Sequence, residues 1–182
     1  IAKISGIKMC EAFNRQYGKL QKIDYRAAMP CNLYGPGDNF NINSSHVIPA
    51  LIRKFYEASL NKKKSIKLWG SGNAMREFLY VDDLAEACVK YMNTSQNNLK
   101  KLNYDLCFIN IGSQENISIK ELALKIAKIT NYKGKIIFFD SELEGVRSKL
   151  MDSKIIRKIG WKKKTKIDEG LKKTFSHYLQ LK

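Results

Sequence analysis

The residues of this chain best equipped for chemistry lie just beyond a short apolar run that breaks at Gly35-Pro36-Gly37. His46 stands there, one residue ahead of an apolar series at Val47, Ala50, Leu51 and Phe55 whose spacing is that of one helix face. An imidazole titrates near neutral pH, so it can hand over or receive a proton at moderate energetic cost. The plainer alternative is a histidine that only caps its helix. Arg53 and Lys54 follow about two helical turns later, which turns one of them toward the same side. A cation in that place makes charge-assisted hydrogen bonds to an anionic ligand, and arginine can hold two oxygens at once.

Presenting these groups requires a strand, an open loop and a helix N-terminus, in that order. Gly35-Pro36-Gly37 can continue neither a helix nor a central strand, so the loop begins there. Ser44 and Ser45 read as the N-cap of the next helix, and Pro49 is tolerable because first-turn amides have no helical partner. In an open α/β sheet, ligands bind beyond the carboxyl ends of the strands, where this stretch falls.

The remaining elements alternate in type. Ile4, Ile7, Cys10, Phe13 and Tyr17 predict a first helix that stops at Gly18, followed by a strand from Ile23 to Met29. Ser65–Trp69 alternates as a strand, the turn Gly70-Ser71-Gly72-Asn73 follows, and a strand from Glu77 to Val81 leads into a helix capped by Asp82-Asp83. Asn93 to Asn103 is polar and reads as a loop. Cys107–Ile111 is a continuous apolar run ending at Gly112, as expected of a buried parallel strand. Ser118-x-x-Glu121 is a capping box, Lys135 to Phe139 a strand, and Ser141 to Lys149 a loop. Asp152 to Trp161 predicts a short helix, and Thr165-x-x-Asp168 caps a last one carrying Leu171, Phe175 and Tyr178. Strands alternating with helices make the class α/β.

Composition narrows the field. A chain of 182 residues that is 44% hydrophobic has the core of one or two globular domains. No apolar run approaches the ~18 residues of a membrane span, and no basic-then-apolar leader precedes the first helix. The four cysteines are dispersed through apolar stretches without a CxxC pair, which predicts buried thiols in a reducing, cytoplasmic setting and neither zinc nor disulfides. A net charge of +16 raises the alternative of a nucleic-acid or polyanion-binding module. Only six of the basic residues are arginines and the lysines are scattered along helix faces, so a solvated surface explains the charge more simply.

Asn32-Leu33-Tyr34-Gly35-Pro36, together with Arg76-Glu77-Phe78-Leu79-Tyr80-Val81-Asp82-Asp83, resembles the extended short-chain dehydrogenase/reductases that act on nucleotide sugars. The stretch from Asn43 to Phe55, with Leu68-Trp69-Gly70-Ser71-Gly72, is similar to the GDP-L-fucose synthase family in particular. That resemblance implies NADP(H)-dependent epimerisation at C3 and C5 of GDP-4-keto-6-deoxy-D-mannose and reduction at C4, by a homodimer that uses neither nucleic acid nor membrane. Another epimerase or dehydratase of the same superfamily is the rival. It implies the C-terminal part of a Rossmann-type doubly wound parallel sheet (residues 1–45 and 76–113) with a smaller α/β substrate-binding domain (46–75 and 114–182). The chain opens on Ile1 in mid-helix, so the family's glycine-rich cofactor turn and catalytic tyrosine are expected upstream, and this part alone is expected to be inert.

By the same resemblance, Lys3 supports the missing tyrosine and holds the nicotinamide ribose, while Pro30, Cys31, Asn32 and Leu33 run along the nicotinamide. His46 becomes the epimerisation acid and also borders the cofactor. Lys54 and Arg76 meet the diphosphate, Trp69 lines the nucleotide-sugar pocket, and Glu144 binds the nucleotide. No metal is implied.

Overall fold

The computed structural model describes residues 1–102, 104, 106–139 and 146–182. It opens on helix α1 (Ala2–Gln21) and continues through strands β1 (Ala27–Pro30) and β2 (Asn32–Tyr34) to α2 (Val47–Leu60). Strands β3 (Ser65–Trp69) and β4 (Met75–Tyr80) precede α3 (Val81–Met92) and α4 (Gln96–Lys101). Next come β5 (Phe108–Ile111), β6 (Asn116–Ser118), α5 (Ile119–Ile129) and β7 (Lys135–Phe139). A two-residue strand β8 (Ser148–Lys149) and helices α6 (Lys154–Lys158) and α7 (Ile167–Gln180) complete the chain.

The stretch from Ala27 to Tyr34 changes partner halfway. β1 runs parallel to β5, while β2, one residue later, runs parallel to β4. Cys31 is the switch: its N–H still bonds the Ile111 carbonyl at 3.0 Å, and the next residue is in register with Phe78. β4 also carries antiparallel β6 and parallel β8, and β3 pairs in parallel with β7. Parallel pairing across helical crossovers is the expected α/β arrangement.

β4 is buried on both faces from Glu77 to Tyr80, so it divides two cores. Phe78 and Tyr80 point into one, with Ile52 and Phe55 of α2, Leu122 and Ile126 of α5 and Leu171 of α7. Leu79, on the opposite face by strand alternation, joins Ala87, Tyr91, Ile109, Ile111, Ile156 and Trp161 in the other. The predicted capping box is formed: Ser118 Oγ accepts from Glu121 N and Glu121 Oε2 from Ser118 N, each at 3.1 Å.

Several boundaries differ from those read in the sequence. α1 passes through Gly18 to Gln21 and stops at Lys22, whose φ is 54°. The strand then starts four residues later than Ile23, because Asn14 donates to the Tyr25 carbonyl and accepts from its N–H, both at 2.7 Å, which folds that stretch back on the helix. The 93–103 stretch contains α4, capped by Ser95 and anchored by buried Leu99. Neither Asp82-Asp83 nor Thr165 caps its helix. Tyr80 and Lys166 are the N-caps, and buried Asp83 accepts instead from the N–H groups of Lys164 and Thr165 at 3.2 and 3.0 Å.

Two helical glycines are expected to respond oppositely to alanine. Gly6 has open space around it, so Gly6→Ala should stabilise by about 1 kcal/mol, the ordinary helix preference. At Gly170 a methyl group would overlap the hydroxyl and ring of buried Tyr34, so Gly170→Ala should destabilise by about 1–3 kcal/mol. Urea midpoints of the two variants check both signs.

Candidate functional site

A cleft of about 1120 Å³ opens where the strand changes partner. Its walls come from the start of α1, the β1–β2 strand, the Gly35–Asp38 loop, the start of α2, the end of β3 and the start of β4. Lys3 enters it from α1, and Pro30, Cys31, Asn32 and Leu33 form one wall. His46, Trp69 and Arg76 line it as well, so eight of the ten residues singled out in the sequence meet in one cavity.

Local structure sets each of these groups. His46, not Ser44 or Ser45, is the N-cap residue of α2, with extended backbone and no side-chain bond to the helix. Its exposed imidazole therefore does no capping and is available to the cleft. Ser44 Oγ instead accepts from Asn39 Nδ2 at 3.0 Å inside the loop. The Asn32 amide is committed to the sheet, donating to the Glu77 carbonyl at 2.8 Å. Trp69 ends β3 and is 61% exposed, so it is a cleft-side ring rather than a packed core residue. Arg76 Nη1 donates to the Met75 and Val146 carbonyls at 2.8 and 2.7 Å, which fixes the plane of a guanidinium that borders the cavity.

Two expected site residues are not in this group. Lys54 lies outside the cleft lining and donates from Nζ to the Lys67 carbonyl at 2.6 Å. Arg53 is bound to Glu57 and the Phe40 carbonyl, so neither cation of that pair faces the cavity. Glu144 lies outside the described residues.

Lys149 and Glu77 also line the cleft. Lys149, on β8, is the register partner of Arg76 on β4, and both border the cleft. A two-residue strand has no period to detect; the only signal was a basic residue shortly before the 152–161 helix. Glu77 is 1% exposed and borders the same cleft. Its Oε1 accepts from Gln114 N at 2.7 Å and its Oε2 from Met151 N at 3.0 Å. Those amides lie 37 and 74 residues further along the chain, beyond the reach of local pattern.

Burial, and after it the negative charge of Glu77, pushes the Cys31 thiol up from 9.0 to about 12. The thiol at the strand switch is thus an uncharged, weakly nucleophilic wall. Among the described residues no group of His, Cys, Asp and Glu could hold a metal ion. The cavity offers one imidazole, three cations (Lys3, Arg76 and Lys149), two carboxylates (Asp38 and the amide-bound Glu77) and an open strand tip. That set suits an anionic ligand.

Parallel strands, helical crossovers and a cleft where the strand changes partner place the fold in the Rossmann-type α/β class. The chain belongs to the NAD dependent epimerase/dehydratase family, whose pattern matches residues 1–107. It is 44% identical over 181 residues to the GDP-L-fucose synthase of Escherichia coli (strain K12), covering 99% of this chain and 55% of that protein. The solved structure of a GDP-6-OMe-4-keto-L-xylo-heptose reductase from C. jejuni superposes with a TM-score of 0.89 at 32% identity, over 100% of this chain and 60% of that one. An NADP-bound GDP-L-fucose synthetase from Naegleria fowleri superposes with a TM-score of 0.82 at 26% identity, over 98% and 53%. The chain spans about half the length of the curated relatives it matches.

The Cys31 thiol keeps its proton in the folded protein at pH values where the unfolded thiol has lost it. Its contribution to stability is therefore complete below about pH 9 and is lost progressively as pH rises toward about 12. Cys31→Ser should remove that loss, so the difference in urea midpoint between variant and parent should drift in the variant's favour from pH 8.5 to 10.5. A constant difference contradicts the assignment.

Proposed function

We propose that this chain is part of an NADP(H)-dependent enzyme that epimerises GDP-4-keto-6-deoxy-D-mannose at C3 and C5 and reduces C4 to give GDP-L-fucose. The observation that carries the reading is the convergence of Lys3, His46, Trp69 and Arg76 on one cleft, in a chain 44% identical to a GDP-L-fucose synthase.

The chemistry follows from what each group can do. Protons beside the C4 ketone are acidic because the carbanion delocalises as an enolate. Inversion then needs a base of the full-length protein to take that proton from one face and an acid to deliver one from the other, and His46, which lines the cleft, serves as the acid. Arg76 and Lys149 hold the diphosphate by charge-assisted hydrogen bonds, and Trp69 offers its face to the ring system. Lys54, bonded to a main-chain carbonyl, takes part only if that bond is exchanged for the ligand.

The donor set also fits a nicotinamide cofactor: the Lys3 ammonium and the main chain of Pro30 to Leu33 share one wall, as the ribose hydroxyls and carboxamide require. When bound, NADPH supplies the hydride for C4. We assign residues 1–45 and 76–113 to the cofactor-binding part and 46–75 and 114–182 to the substrate-binding part. α1 buries none of its residues and exposes Ile4, Met9 and Phe13, which supports its use in a homodimer contact. Among the described residues no helix is long and apolar enough to cross a membrane, and a cytoplasmic enzyme with reduced cysteines is the reading we adopt.

A second reading is a GDP-sugar C4 reductase without epimerase activity, favoured by the likeness to the C. jejuni reductase structure. The full-length protein incubated with GDP-4-keto-6-deoxy-D-mannose and NADPH in deuterated water separates the two. The proposal expects GDP-L-fucose carrying deuterium at C3 and C5, and His46→Asn should cut that incorporation about 100-fold or more. Reduction without deuterium uptake favours the second reading, and no GDP-L-fucose at all overturns the first.

A further inference from the structure

Glu77 is a buried carboxylate that the chemistry above does not use. We infer that it is a positioning residue whose clasp on the Gln114 and Met151 amides holds Lys149 opposite Arg76, setting the affinity for a nucleoside diphosphate. The inference rests on the reading of Arg76 and Lys149 as the diphosphate cations.

The start of the Ser148–Met151 strap is held by the β8–β4 pairing and by Asn116 Nδ2 donating to Ser148 Oγ at 3.3 Å. β8 is two residues long, and its ladder to β4 begins with Met75 N donating to the Arg147 carbonyl at 2.9 Å. Lys149 itself is exposed, so its own packing does not fix it. Two residues on, the strap is gripped on both sides. Met151 donates its N–H to Glu77 Oε2 at 3.0 Å, and its carbonyl accepts from Gln114 Nε2 at 2.6 Å. Gln114 is held in turn by Glu77 Oε1 at 2.7 Å, in a left-handed backbone conformation with φ 63°. A non-glycine residue stays there only where its surroundings compensate the strain. Gly112 leaves the room for this grip, since a Cβ there would overlap the Glu77 carboxylate.

The clasp therefore closes a ring through β4, the turn after β5 and the strap, with Arg76 one residue from its hub and Lys149 two residues from its far end. A diphosphate requires two cations at a set separation, and any freedom in the strap is entropy that binding must remove. Both carboxylate oxygens of Glu77 accept from main-chain amides. A glutamine at that position has one acceptor and would turn an NH₂ against the other N–H.

The test uses the full-length protein and GDP as the probe, with affinity measured by calorimetry and NADPH affinity as the control. Glu77→Gln should weaken GDP about tenfold and leave NADPH binding unchanged. Lys149→Ala should weaken GDP to a similar extent, and the double variant should lose little more, because both changes remove one interaction. Additive losses, or an unchanged GDP affinity in Glu77→Gln, overturn the inference. Should Glu77→Gln fail to fold, Gln114→Ala removes the grip on the Met151 carbonyl without touching the carboxylate. It should then weaken GDP about threefold at unchanged NADPH affinity and kcat, and equal GDP affinity counts against the clasp. Failure of the parent protein to bind GDP, or full GDP affinity in Arg76→Ala, would instead remove the diphosphate reading beneath it.

Discussion

A carboxylate withdrawn from water must have its oxygens satisfied, and Glu77 meets that requirement with main chain from two distant parts of the sequence. Hydrogen bonds to a charged group contribute on the order of 1.5–3 kcal/mol each, and leaving such a group buried without them costs more than they contribute. β4, the turn at Gln114 and the segment at Met151 are therefore held at fixed separations around one side chain. Asp83 repeats the device six residues later, drawing Lys164 and Thr165 onto the start of α3. Two acids of one short motif thus bind the middle of the chain to its C-terminal third.

With β4 fixed, the geometry of the cleft follows. The Ala27–Tyr34 stretch pairs first with β5 and then with β4, leaving one for the other at Cys31. The space at that divergence is lined by main chain and by side chains from the ends of elements, which is where α/β proteins carry their ligands. The two cores on either side of β4 keep the divergence rigid: Phe78 and Tyr80 anchor one, Leu79 the other.

How much of this was legible in the sequence depended on the range of the interaction. Alternation in Ser65–Trp69 and the capping box at Ser118 are local signals, and both formed as read. Helix ends were harder, because Asn14 reaching Tyr25 displaced the start of β1, and a packed Leu99 made a helix of a stretch that reads as polar loop. Resemblance implies that Lys3, Cys31, His46, Trp69 and Arg76 share a site, and they line one cavity, whereas Lys54 turns to the Lys67 carbonyl instead. Glu77 and Lys149 were invisible because the first needs amides from remote turns and the second sits in a strand too short for periodicity.

The Asp83 contact carries a consequence for biosynthesis. Its amide partners lie 81 and 82 residues downstream, and those of Glu77 lie 37 and 74 downstream. A ribosome adding roughly 5–20 residues per second leaves both acids waiting several seconds for their partners to emerge from the exit tunnel. During that interval the two acids must stay hydrated, and they can enter the interior only once Gln114, Met151, Lys164 and Thr165 are available. Chaperone contact with β4 should consequently persist until those partners have emerged.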